Sequence, residues 1–248
     1  MIQIALIVFL GATVQSAIGF AYSLVCLPLF LQAGLNLPEA VTMSFVTSAF
    51  QRIIFMSKRY RDVEWGKLKV PIICCLLALP IGVYCLGLIS GESKTVIKQL
   101  VGALVLLTVI VRTTIKIKPK ANIATGWSIL AGCCSGFLNG LANIGGPPII
   151  LWAYAHEWRK ELLCSTTIAI SMPLIPFQAS LMIWKFGEEI PQIMLKGLYV
   201  SPMALIGVFI GLKISEKVDV KVLRIIVMTI LIIIGILYVA QPYFSVSK

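Results

Sequence analysis

The sequence predicts an all-α polytopic membrane protein made of two repeated halves, 1–120 and 121–248, inserted with opposite topology. Three observations predict it. Of 248 residues 59% are hydrophobic and 12% charged, more apolar surface than one water-soluble core could bury. The apolar residues form runs of membrane-spanning length, divided by short connectors rich in Lys and Arg. The order of elements also repeats: SFVTSAFQ (Ser44 to Gln51) aligns with SMPLIPFQ (Ser171 to Gln178) at an offset of 127, and Gly19 and Gly145 lie 126 apart.

The first element, Met1 to Ala33, is 33 residues long. That is roughly 50 Å as one helix, too long for one crossing of a hydrocarbon core of about 30 Å and too short for two. MIQIALIVFL lacks a basic n-region, so this segment is expected to stay and enter the membrane. A break at Ile18-Gly19-Phe20 would make it a broken helix or a re-entrant hairpin. Three ordinary spans follow, near 39–57, 68–90 and 95–114. The second half opens on Thr125 to Ala155, 31 residues with a break at Asn143-Ile144-Gly145-Gly146-Pro147-Pro148, and continues with spans near 162–184, 193–214 and 220–241. Each half therefore holds a broken or re-entrant helix pair plus three transmembrane helices.

Charge chooses the orientation. The connectors Ser57 to Lys69 and Arg112 to Lys120 carry five and four basic residues and belong in the cytoplasm. With Arg52, within a span, left out, 12 basic residues fall inside and 8 outside if the second broken segment crosses fully; if it turns back, the division is 15 to 5. The second arrangement is favoured, and it gives each half an odd number of crossings. A tilted segment that does cross would instead give eight spans and parallel halves.

Other function classes find little support. The net charge of +11 resides mostly in connectors, where it orients the chain and does not make a nucleic-acid surface. The seven cysteines lie in apolar runs without metal-binding spacing, and no nucleotide loop, paired intramembrane carboxylates or Ser/His/Asp constellation is present. No cofactor is expected. His156 and Glu157, beside Arg159 and Lys160, form a connector where a solvated group is favoured over a proton relay. Tyr22, Trp152, Tyr154 and Trp158 read as interface or packing residues.

Chemistry concentrates at the two breaks. A helix end exposes N–H groups and a partial positive charge, which suit an anion. Asn139 and Asn143 share a face, Gly145 and Gly146 permit close approach of backbone, and Pro147 and Pro148 can open the next helix without losing a needed donor. The competing reading is a glycine-lined packing face with a proline kink. Arg52 lies inside a span, where a charge costs roughly 3 kcal/mol or more unless it faces protein or water. It shares a helical stripe with Ser44, Ser48 and Gln51, although its stem could also snorkel toward Lys58, ~9 Å along the helix. Thr167, Ser171 and Gln178 make a comparable stripe in the second half, as donors to a substrate or as ties between helices.

At these residues the chain resembles the TauE/SafE family of membrane transporters, often called sulfite exporters. The motifs are QSAIGFAYSLVCLPLFL in the first half and GFLNGLANIGGPPIILWAYA in the second. The second matches an NxGGPP-like form; the first matches a looser GFG-then-Pro pattern, with Ala21 where a further glycine is often found. The resemblance implies movement of a small anionic sulfur compound, sulfite or an organosulfonate such as sulfoacetate, across the cytoplasmic membrane.

The combined expectation is a secondary transporter working by alternating access, not an enzyme. Its anion would be held by backbone N–H groups near Gly19, Gly145 and Gly146 and by Gln15, Ser16, Asn139 and Asn143, with Phe20 and Pro147 at the breaks and Gln51, Arg52 and Gln178 as walls and countercharge. Partners would be the lipid bilayer, the small anion and a coupling ion, H+ or Na+. A passive anion channel, or a membrane scaffold or enzyme subunit, is the rival reading.

Overall fold

The computed structural model describes residues 1–18, 21–59, 63–114 and 123–245. Gly19 and Phe20 of the first break, and Arg61, Lys116, Lys118, Lys120 and Lys248, lie outside them. The described residues are helical almost throughout: α1 (Ile2–Ile18), α2 (Tyr22–Gln32), α3 (Leu37–Arg59), α4 (Trp65–Ser90), α5 (Lys94–Thr114), α6 (Thr125–Ala142), α7 (Gly146–Tyr154), α8 (Lys160–Ser171), α9 (Leu174–Phe186), α10 (Glu189–Lys217) and α11 (Val220–Ser245).

Among the described residues five helices are long and apolar enough to cross a membrane: α4, most of α5, α8 with α9 as one span (Ser165–Phe186), α10 and most of α11. The sequence leads us to expect six. The absentee is α3, whose 23 residues suffice in length but carry hydroxyl groups, Gln51 and Arg52. Its polar face is buried instead: Thr42, Ser44, Thr47 and Ser48 are fully covered.

The chain divides into two compact units: Met1–Ser48, Leu88–Ile115 and Gln192–Lys248; and Ala49–Gly87 and Lys116–Pro191. Both draw helices from each side of residue 120.

In the first unit, α1 and α2 fold back on each other. The Cys26 thiol reaches Ile7 O at 3.6 Å, and Gly11 lies against Tyr22 and Cys26, so the two helices are antiparallel. Their turn passes through Ala21, at φ 83 and ψ 7. The left-handed region brings Cβ too close to the following carbonyl, at a cost of roughly 1 kcal/mol. Glycine escapes that cost, which explains why Ala21 occupies a place where this motif often has one. Ala21→Gly is expected to stabilise the protein by about 0.5–1 kcal/mol, read as a higher melting temperature in detergent; a lower one would show that the Ala21 methyl packs more than it strains.

Helix α10 runs parallel to α1, with Gly207 against Phe9 and Ala12 and Gly211 against Thr13 and Ser16. Helices α5 and α11 run antiparallel: Gly102 meets Gly235, and Gln99 Nε2 donates to Val239 O at 3.4 Å. The Tyr238 hydroxyl closes this unit by donating to Pro28 O at 2.6 Å.

In the second unit α6 and α7 make a second fold-back. Trp152 Nε1 donates to Ser128 Oγ at 2.8 Å, and Ser135 Oγ donates to Gly145 O at 2.6 Å, which fixes the antiparallel sense. Helix α6 lies parallel to α4, its Gly132, Gly136 and Gly140 facing Pro71, Cys75 and Leu79. Trp152, Leu68, Leu79, Ile170 and Met182 form the buried core here. Because Trp152 is almost fully buried, packing rather than an interfacial position accounts for it.

Candidate anion site at the second turn

The turn between α6 and α7 is built from groups that compensate one another. Asn143 ends α6 at φ 55 and ψ 31. A left-handed Asn is tolerated better than most residues, and with Ala21 it makes up the non-glycine positive-φ set among the described residues. The two strained positions thus coincide with the two breaks. Such strain persists where the surrounding structure over-determines it, and it clusters at functional sites.

The turn satisfies the end of α6 from several directions. Asn143 N–H donates to Asn139 O at 2.9 Å and Ile144 N–H to Leu138 O at 3.1 Å, while Gln178 Nε2 from α9 is a second donor to Asn139 O at 3.2 Å. These donors offset the negative end of the α6 dipole. Gly145 must be glycine: a Cβ there would lie 2.5 Å from Ser135 O and 2.8 Å from Asn139 Cγ. Pro147 and Pro148 then occupy the first turn of α7 and supply no N–H, and the N–H of Ile149 begins the intrahelical ladder on Gly145 O, so the donors left at its positive end are those of Gly145 and Gly146. Gly146 is exposed, with its nearest neighbour, Ile150 Cδ1, 3.9 Å from a Cβ position. It is the open point of an otherwise closed turn.

Asn139 and Gln178 are buried within this turn, joined to each other, and Asn143 is buried as its cap. Gln51, buried, and Arg52, partly buried, belong to the same compact unit. The second unit therefore holds Gln51, Arg52, Asn139, Asn143, Gly145, Gly146, Pro147 and Gln178 of the expected residues. Gln15 and Ser16 belong to the first unit. Ser16 Oγ donates to its own helix, to Ala12 O at 2.9 Å, and faces Gly211 of α10.

The α3 stripe is divided between uses. Ser44 bonds Ser23 at 3.0 Å, and Tyr22 O–H donates to Thr47 at 2.7 Å, tying α3 to the first turn of α2. Sequence reasoning passed over Tyr22, Ser23 and Thr47 as a group. The available signal was a pair of hydroxyl side chains directly after the first break. In the other stripe Thr167 and Ser171 donate to Leu163 O and Ile168 O of their own helix, so Gln178 is the member that ties helices together.

At the far end of this unit, His156 stacks on Trp158 with centroids 4.0 Å apart and meets Trp152 edge-on at 4.6 Å. Its Nδ1 lies 3.1 Å from Trp152 O. Lys67 Nζ sits 5.6 Å from the Trp158 ring and pairs with Glu64 at 2.8 Å, so the start of α4 and the α7–α8 connector share one end of the unit.

Burial, reinforced by Lys67, holds the His156 pKa below the ordinary histidine range, against the opposing pull of Trp152 O and Glu64. The unfolded chain then takes up this proton first. Stability contributed here is complete above about pH 6.5 and declines as pH falls below it. The melting temperature is expected to drop between pH 7.5 and 5.5 by more in the wild type than in His156→Asn; equal drops would remove this residue from the effect.

Among the described residues no group of His, Cys, Asp and Glu is arranged to hold a metal. No curated protein and no solved structure matches the chain. The family model described as sulfite exporter TauE/SafE matches residues 4–238. With nearly all of its length covered, its motifs at both fold-back turns and its apolar helices, the chain belongs to the TauE/SafE sulfite exporter family, a family of membrane transporters and not of enzymes.

Proposed function

We propose that this multi-pass membrane transporter moves sulfite or a small organosulfonate such as sulfoacetate across the cytoplasmic membrane by alternating access, binding it at the α6–α7 turn. The observation that carries this reading is the pair of fold-back turns, each with a left-handed non-glycine residue beside or within the break. Backbone groups at a turn inside a bilayer need partners, and a bound oxyanion provides them at the positive end of α7. Gly146 N–H and the Asn143 carboxamide would contact the anion, and Arg52 would balance its charge. Gln178 and Asn139 would hold the turn in shape.

Helix directions support insertion of the two halves with opposite topology. Helices α4 and α6 run parallel, each preceded by a basic connector, and α7 returns its connector to the start of α4. That agrees with the 15-to-5 division of basic residues, in which the second segment enters and leaves on the cytoplasmic side. Counterpart helices α5 and α11 run antiparallel, as inverted repeats require.

Uptake of sulfite into proteoliposomes tests the reading. Saturable uptake competed by sulfoacetate, accelerated by an imposed H+ or Na+ gradient, is the expected result. Ohmic, unsaturable current would indicate a channel, and binding of none of sulfite, sulfonates or sulfate would remove the sulfur-anion assignment.

A further inference from the structure

We infer that Cys74 and Cys133 form a dithiol on the lipid-facing side of the α4–α6 pair, and that a lipid-soluble quinone converts it to a disulfide. Gly132 packs directly on Cys74: a Cβ on that glycine would stand 2.7 Å from Cys74 Cβ and 2.8 Å from Pro71 O. Cys133, one residue along, brings its thiol beside that of Cys74. A disulfide needs Cα atoms within about 7 Å of one another, a separation that a glycine-seated helix pair permits.

The surroundings select the oxidant. Cys133 is exposed and Cys74 half-buried. Ile129 and Leu130, one turn before Cys133, and Ile73 and Leu77, flanking Cys74, are exposed apolar side chains. Counting from the starts of α4 and α6, both cysteines lie some ~12–14 Å along their helices, within the acyl chains of a bilayer that α4 spans. A charged oxidant such as glutathione disulfide does not partition there, whereas a quinone does. The two thiols would lose two protons and two electrons as the S–S bond forms, and the quinone would take up both pairs to become the quinol. Cys75 is fully buried against Gly136 and stays reduced; Cys134, also exposed, is a neighbour of Cys133 that has no part in the pair.

The test treats lipid-reconstituted protein with decylubiquinone, whose fully substituted ring resists thiol addition, and then counts residual thiols after denaturation. Two of the seven thiols should disappear, with a dithiothreitol-sensitive cross-link between the peptides holding residues 74 and 133. Cys133→Ser and, independently, Cys74→Ser should abolish both signals, and Cys134→Ser should abolish neither. No thiol loss, loss that survives Cys133→Ser, a cross-link to any other cysteine, or oxidation by glutathione disulfide but not by quinone would each overturn the inference.

Discussion

Gly136→Leu is expected to leave little or no folded protein. A Cβ at this position would run into the carbonyl oxygen of Cys75 and lie 2.7 Å from its Cα, and both of those atoms are backbone. A flexible side chain could swing aside; helix α4 cannot. The whole helix would have to retreat, and α6 would lose the contacts of Gly132 and Gly140 on the same face. Overpacking of a dense interior typically costs 1–3 kcal/mol, and separating two glycine-seated membrane helices adds the lost van der Waals contact, so about 3 kcal/mol or more is expected. The measurement is the yield of monodisperse protein in mild detergent and its melting temperature. Gly126→Leu is the control, since a Cβ there meets nothing within 4 Å. If Gly136→Leu purified and melted like Gly126→Leu, the α4–α6 contact would not hold this unit together.

The legible part of the fold was its punctuation. Thirty-odd apolar residues interrupted by glycine and proline cannot lie in a bilayer as one straight helix, and length alone required a break at each place where the chain does turn back. The direction taken after the second break was legible only in the distribution of basic residues, which favours a segment that turns back. The direction itself is decided by partners distant in sequence, such as Trp152 reaching Ser128, and no local periodicity encodes them. The stripe of α3 shows the same limit. Spacing put Ser44, Ser48, Gln51 and Arg52 on one face, but Ser44 bonds to the first turn of α2 while Gln51 and Arg52 belong to the other compact unit. Ser16 was likewise chosen for its nearness to a break, yet its hydroxyl donates back to its own helix and packs on Gly211. Proximity in sequence to a turn does not say which way a side chain points. The adjacent prolines begin a helix as the sequence leads one to expect, and their further consequence is fewer donors: only Gly145 and Gly146 remain at the start of α7.

That scarcity makes side chains decisive for the proposed anion, and Asn143→Gly separates their chemistry from the turn itself. Glycine keeps the left-handed backbone at φ 55 without strain and removes only the carboxamide. Asn143→Ala would remove it and add the strain of a left-handed Ala. If the amide contacts the substrate, Asn143→Gly should reduce sulfite uptake about tenfold, the equivalent of losing one ordinary hydrogen bond of ~1.4 kcal/mol. Arg52→Gln should act more strongly. A hydrogen bond between two charged partners contributes about 1.5–3 kcal/mol, so uptake should fall about 10- to 100-fold, and the remaining activity should depend less on salt. The double variant should fall short of the product of the single effects if both groups hold one anion, because either loss already loosens it. Uptake equal to wild type in Arg52→Gln and Asn143→Gly together would move the substrate away from this turn, and the breaks would then be explained by packing alone.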